Sequence, residues 1–329
     1  MQDQKGGVME NEHSRRNFIK NSGLVTSGLL TTAFATNAQS PNSPSQPPAE
    51  SRAARFRVLM SREAPLIMPV IPDVLVGRLC EMEGFEALFI GGSWASYARL
   101  GIPDFGLISV TELIDWTANI ADHTTAPLLA DGDDGGGSPI NVYRATKGFE
   151  KAGAAAVLYE DTVQAKHLDS PTDLVSTAQM VDKIKAAVDA RVDPNFVLLI
   201  GTNALSEGRS MSEALDRGAA YVEAGADALY FRGMRVEDHP KAYEVMKRPL
   251  MNYIGPNLTP ADAQKAKIGL IFYHIETIGT GAIHRALKEL KNTGKMENAE
   301  KMALSEELNA KLVDSERYMA LGRKYHLTR

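Results

Sequence analysis

The residues best suited to chemistry stand in one run, Leu128-Leu129-Ala130-Asp131-Gly132-Asp133-Asp134-Gly135-Gly136-Gly137, where an apolar segment breaks into carboxylates and then into glycines. Such a pattern predicts a buried strand that delivers acidic side chains to its C-terminal mouth, followed by a loop whose bare backbone a small molecule can approach. Hard carboxylate oxygens suit Mg²⁺, which keeps several of its waters and takes one or two protein carboxylates. The same donors accept Mn²⁺. A solvated Asp/Gly turn is the alternative reading of the run taken alone.

Other polar groups close other apolar runs. Gly91-Gly92-Ser93 follows residues 87–90, Glu160-Asp161 follows 155–159 and Gly201-Thr202-Asn203 follows 196–200. Arg232 follows 228–231, Asn252 follows 249–251 and His274 follows 269–273. Between them, residues 141–153, 177–191 and 210–225 carry apolar side chains at helical spacing. Strands alternating with helices predict a parallel sheet, and about eight such units over roughly 250 residues predict a (β/α)8 TIM barrel. In that fold the polar strand ends gather at one mouth. Trp94 and Tyr97, opening the helix after Gly91-Gly92-Ser93, and Glu276, just beyond His274, are further candidates to face it, with core packing or a hydrogen-bonded loop as the plainer alternative.

With 44% hydrophobic and 23% charged residues and no run of like charges, the chain reads as one globular domain without a nucleic-acid tail. A formal net charge of −5 argues against a polyanion partner. Cys80 is the only cysteine, so neither an intrachain disulfide nor a cysteine-based zinc site is available. It is expected to be a small buried apolar residue on a helix over 74–83.

The N-terminus is a separate object. Ser14-Arg15-Arg16-Asn17-Phe18-Ile19-Lys20 precedes a modest apolar stretch over 23–34 and small residues at Ala33, Ala35 and Ala38. That order predicts a twin-arginine export signal over 1–38, a flexible spacer over 39–55 and a folded domain over 56–329. The apolar stretch is too short and too rich in Ser and Thr to be a stable membrane span. A periplasmic or cell-envelope location follows as an expectation.

From Pro69 to Asn252 the chain resembles the isocitrate lyase / phosphoenolpyruvate mutase superfamily. The resemblance rests on Gly101-Ile102-Pro103-Asp104-Phe105-Gly106-Leu107, Ala130 to Gly137, Asn141-Val142-Tyr143-Arg144, Glu150-Lys151-Ala152-Gly153, Tyr159-Glu160-Asp161, Lys183 to Ala187 and Ala224-Gly225-Ala226-Asp227-Ala228, in the family's order and spacing. It implies a (β/α)8 barrel with an extra C-terminal helix packed on a neighbouring subunit, usually in a homotetramer, and Mg²⁺ bound with a small 2-oxo or 2-hydroxy carboxylate. Asp131 then corresponds to the direct Mg²⁺ ligand, with Asp104, Asp133 and Glu160 holding the metal's waters. Gly91, Gly92 and Ser93 correspond to the turn whose amides hold the substrate carboxylate. Asn252 matches a family asparagine, and Trp94 adjoins the turn as a candidate pocket residue.

The departures matter as much as the matches. The family lyases carry Lys-Arg-Cys-Gly-His in a gating loop where this chain has Lys166-His167-Leu168-Asp169-Ser170, so the acid/base cysteine is lost to Leu168. Lys166 or His167 is left to manage protons, histidine being the side chain that changes charge near neutral pH. The family's Ala-Arg-Thr-Asp-Ala appears as Ile200-Gly201-Thr202-Asn203-Ala204, which removes a carboxylate-binding arginine. Its Phe-x-Glu-Gly appears as Tyr230-Phe231-Arg232-Gly233, which adds one on the next strand. Adjacent strands lie about 4.8 Å apart, a distance an arginine spans, so Arg232 is expected to replace the lost cation.

The reading is a Mg²⁺-dependent enzyme that breaks a C–C or C–P bond beside the oxo or hydroxy carbon of such an acid, leaving an enolate. A periplasmic carboxylate-binding protein that kept the fold and metal but not the chemistry is the alternative. Residues 293–321 are expected to form a peripheral helix, with Met302, Leu304, Leu308, Leu312 and Met319 toward a partner subunit.

Overall fold

Leu66–Pro69 opens the strand series, and the residues on either side of it explain how the barrel is built. The computed structural model describes residues 50–163, 166–167, 173–253, 255 and 258–327. The proposed export signal, the spacer up to residue 49, and Leu168, Asp169 and Ser170 lie outside the described residues. The spacer ends earlier than expected. Ser51 accepts the Ala54 N–H at 3.1 Å and caps α1 (Arg52–Met60), which buries Phe56 and Leu59.

From there strand and helix alternate. The order is β1 (Leu66–Pro69), α2 (Val74–Met82), β2 (Leu88–Ile90), α3 (Gly92–Ala95) with a wider turn over Ser96–Leu100, α4 (Val110–Ala121), β3 (Leu128–Asp131), α5 (Pro139–Lys151), β4 (Ala156–Glu160) and α6 (Thr177–Ala190). It continues through β5 (Val197–Thr202), α7 (Met211–Ala224), β6 (Ala228–Phe231), α8 (His239–Met246), β7 (Leu250–Tyr253), α9 (Pro260–Lys265), β8 (Leu270–Tyr273) and α10 (Glu276–Thr293). Serines set several helix starts: Ser109, Ser138 and Ser176 each close a reciprocal capping box with the residue three ahead.

Among the described residues the eight strands pair in parallel from β1 through β8 and down to β2. A bridge between Val70 and Phe89, with the Ile71 N–H donating to the Phe89 carbonyl at 2.9 Å, brings the first and last edges together. Helices cover the outside, so both strand faces are buried and the strands read as unbroken apolar runs. The alternation is still there. Leu66, Met68, Phe89, Leu129, Leu158, Leu199, Met251, Leu270 and Phe272 form one inner cluster with α1 at its lower end, while Ala130, Val157, Ile200, Leu229 and Leu250 pack toward the helices.

Continued by two residues, the inner series reaches the mouth. Leu129 leads to Asp131, Leu158 to Glu160, Leu199 to Gly201, Tyr230 to Arg232 and Phe272 to His274. Cys80 is buried on α2, as expected.

The C-terminal segment differs from the single helix expected over 293–321. α10 ends at Thr293, and α11 (Glu306–Leu312) and α12 (Ser315–Lys324) follow as separate short helices. Asp314 at φ 55° breaks the path between them. Leu312 is buried within its own chain, against α2, whereas Met302, Leu304 and Met319 are exposed.

Candidate active site

Asp131 is the last residue of β3, and its carboxylate organises the turn that follows. Oδ1 accepts the Asp133 N–H at 3.0 Å and Oδ2 accepts the Gly92 N–H at 2.9 Å. Drawn back by the first bond, Asp133 takes φ 49°, a left-handed conformation that aspartate tolerates better than most residues. Gly132 must stay bare, because a Cβ there would stand 2.5 Å from Cε1 of Tyr159. The Gly92 amide, expected to hold a substrate carboxylate, is thus committed to Asp131.

Lys166 brings the carboxylates together. Its Nζ pairs with Asp133 Oδ1 and lies 3.2 Å from Asp104 Oδ1, and the three side chains are at most 11% exposed. Burial alone would lower the lysine, but the surrounding charges of Asp133, Glu160, Asp131 and Asp104 outweigh it and hold Lys166 above its ordinary range. The lysine, expected to manage protons, stands here as a buried cation paired with carboxylates. Burial, and then the charge of Asp131, push the Asp133 carboxyl up to about 7 against the pull of Lys166. Burial raises Glu160 likewise, again opposed by Lys166.

Glu160 closes β4 and is buried at the edge of the barrel mouth. Its Oε2 accepts from Asn203 Nδ2 at 3.2 Å, and the Asn203 N–H in turn donates to Asp161 at 2.9 Å. Asp161, wholly buried, also receives Thr202 Oγ1 at 2.7 Å, Tyr221 OH at 2.8 Å and an ion pair with Arg217. Reasoning from the chain missed this supporting network. Its signal was the run Glu160-Asp161 facing Thr202-Asn203, two polar pairs at the ends of adjacent strands.

Arg232 does reach the mouth. Its Nη1 donates to Nε2 of His167 at 2.8 Å. An arginine can only donate, so Nε2 carries the lone pair and the ring is neutral with its proton on Nδ1. Burial, and then the charges of Arg232 and Lys166, lower His167 below its ordinary value. As placed, His167 is an acceptor, not the proton donor that its loop position suggested.

Phe89, Gly91, Ser93, Asp104, Asp131, Leu158, Glu160, Lys166, Tyr230, Arg232, Met251, Phe272 and His274 line a cavity of about 100 Å³. One water takes about 30 Å³ of the liquid, so the space suits a molecule of a few heavy atoms. Of the expected site residues, Gly92, Trp94, Asp133, His167 and Asn252 lie outside this lining. Asn252 is buried on the helix side of β7, since alternation sends Met251 inward. Trp94 packs edge-on against Tyr97, centroids 5.8 Å apart. His274, beside the expected set, does line the cavity.

The carboxylates suit a cation. Asp133 Oδ2 is buried with no hydrogen-bond partner, and like charges are crowded around the one lysine. Among the described residues no three acidic or histidine side chains are arranged to hold an ion by themselves.

The phosphoenolpyruvate phosphomutase family pattern matches residues 56–293. The 2,3-dimethylmalate lyase of Eubacterium barkeri is 34% identical over 248 residues, covering 72% of this chain and 83% of that protein. An oxaloacetate decarboxylase of Pseudomonas paraeruginosa is 34% identical over 278 residues, covering 83% and 95%. Among solved structures, a phosphonopyruvate hydrolase complexed with oxalate and Mg²⁺ superposes with a TM-score of 0.75 at 28% identity, covering 84% of this chain and 99% of that one.

Proposed function

We propose, from the premise that this chain belongs to the isocitrate lyase / phosphoenolpyruvate mutase superfamily, that it cleaves a C–C or C–P bond beside the oxo or hydroxy carbon of a small 2-oxo or 2-hydroxy carboxylate, with Mg²⁺. Its relatives are lyases, decarboxylases and hydrolases of small carboxylates. The observation that carries the reading is the convergence of Asp104, Asp131, Glu160, Lys166 and Arg232 on one small cavity at the barrel mouth.

Asp131 would hold the cation directly, with Asp104, Asp133 and Glu160 on its waters. When bound, Mg²⁺ supplies electron withdrawal from an oxo group as an enolate develops. The chain's own groups do the rest. Arg232 offers a planar pair of donors to a carboxylate, the task of the arginine absent at Gly201. Lys166 keeps Asp133 and Asp104 in place, and Ser93 contributes to the wall that meets the substrate. Because Leu168 stands where the lyases carry cysteine, a decarboxylase or a hydrolase of an activated oxo-acid is favoured over an isocitrate-type lyase.

The test is turnover of oxaloacetate, phosphonopyruvate and substituted malates, beside a thermal-shift titration with oxalate. Ligand in hundredfold excess over its dissociation constant stabilises the native state by about 2.7 kcal/mol. Stabilisation by oxalate only with Mg²⁺, together with turnover of one acid, supports the reading. Stabilisation without turnover leaves a carboxylate-binding protein.

Self-association belongs to the same proposal. Ile283, Leu287 and Leu290 recur at helical spacing on α10 and are 41–63% exposed, as a helix covered by a second copy would be. Light scattering on the mature domain decides it. Export through the twin-arginine route remains a proposal from Arg15 and Arg16. No described helix is long and apolar enough to cross a membrane.

A further inference from the structure

Strand β8 sends Leu270 and Phe272 into the barrel, and the next residue in that phase is His274, which lines the cavity with Asp131, Glu160 and Arg232. Its Nδ1 lies 2.5 Å from Oε1 of Glu276. The Glu276 side chain is 2% exposed, and its Oε2 is buried without a hydrogen-bond partner. Glu276 is also the first residue of α10, where the helix dipole favours a carboxylate charge.

An ionised carboxylate only accepts, so Nδ1 carries a proton and Nε2 is the atom left for exchange. The ring is held edge-on by Phe272, with centroids 5.5 Å apart, and tilted against Tyr253 at 5.3 Å. Its side chain is 36% exposed, so water can restore a lost proton. The rival carriers are occupied: Lys166, in the lining, by carboxylates, and His167 Nε2, beside it, by Arg232.

We propose that His274, oriented by Glu276, is the proton-transfer residue of this site, in place of the cysteine missing from the loop. The proposal rests on the enolate reading above. When the bond beside the oxo carbon breaks, its electron pair stays on the substrate as an enolate and the other fragment leaves. That pair then forms a C–H bond with the proton on Nε2 of the imidazolium. The neutral ring keeps its Nδ1 proton toward Glu276, and water returns the proton to Nε2.

The experiment compares wild type, His274→Ala and His274→Gln on whichever of oxaloacetate, phosphonopyruvate or the substituted malates the wild type turns over. Both variants are expected to lose about 10²–10⁴ in kcat, to keep the stabilisation by oxalate with Mg²⁺, and to hold KM within about threefold. Added imidazole is expected to restore part of the His274→Ala rate, which a purely structural role would not allow. Variants that keep kcat within about threefold of wild type overturn the role of His274 while leaving the enolate reading intact. Loss of oxalate binding without rescue by imidazole overturns it as well. A wild type that turns over none of these acids overturns the enolate reading and this role with it.

Discussion

Asp131 Oδ2 accepts the N–H of Gly92 at 2.9 Å, which joins the carboxylate read as the metal ligand to the turn read as the substrate cradle. A movement of one is therefore felt by the other.

Gly92→Ala tests that coupling. A Cβ at position 92 would meet Asp131 Oδ2 at 3.0 Å, its Cγ at 3.2 Å and Asp133 Oδ1 at 3.4 Å. The carboxylate must give way, at a cost of about 1–3 kcal/mol in stability. The variant is expected to fold and to lose the Mg²⁺-dependent stabilisation by oxalate. An unchanged thermal shift would show that Asp131 is not the group the ion needs.

Arg232→Lys separates charge from geometry. Lysine keeps the positive charge but not the planar donor pair that matches a carboxylate. We expect KM for the substrate acid to rise about tenfold or more, one charge-assisted contact being worth about 1.5–3 kcal/mol. His167 also loses the donor that its Nε2 accepts from at 2.8 Å, which ¹H–¹⁵N correlation of the ring nitrogens would register. Full substrate affinity in the variant would remove Arg232 from the carboxylate site.

Lys166→Met asks what holds the carboxylates together. The lysine is 5% exposed and pairs with Asp133 and Asp104. Its loss leaves buried like charges uncompensated, and breaking one side of a buried pair costs about 3–5 kcal/mol. In urea unfolding with chelator the variant is expected to show that loss. Mg²⁺ should stabilise it more than it stabilises wild type, because the ion supplies the missing positive charge. Equal increments of stability on adding Mg²⁺ would place the ion elsewhere.

Which parts were legible in the chain follows from what each part depends on. The barrel was, because apolar runs capped by polar groups repeat along it, and so was the arrival of Asp131, Glu160 and Arg232 at one mouth. The phase of β7 was not. A strand buried on both faces carries no polar alternation, and Asn252 was read inward although Met251 holds that place. Nor was the commitment of the Gly92 amide or the pairing of Lys166 with Asp133, contacts 39 and 33 residues apart in sequence. The break at Asp314 was missed because charged, helix-forming residues continue on both sides of it.

The proposed export would depend on Arg15 and Arg16. A double replacement, Arg15→Lys with Arg16→Lys, keeps the charge and is expected to leave the full-length precursor in the cytosol, while the native protein appears processed in the periplasmic fraction. Immunoblotting of cell fractions decides it. Unprocessed native protein in the cytosol would end the export reading and leave the barrel unaffected.

The pH dependence of stability follows from Asp133. Its folded value near 7 lies above about 3.9 in an unfolded chain. Below about pH 4 the group is protonated in both states and contributes nothing to the slope. Between there and 7 the native state holds a proton that the unfolded state has released, so stability falls as pH rises, and the fall levels off above 7. Glu160, also raised, acts in the same direction. In chelator, the stability of wild type relative to Asp133→Asn should therefore decline across that window. The affinity for Mg²⁺ should climb across the same window, because the proton must leave before the carboxylate meets the ion's shell. A relative stability that stays flat from pH 4 to pH 7 would mean that Lys166 keeps Asp133 ionised throughout, and Mg²⁺ would then bind without releasing a proton from this site.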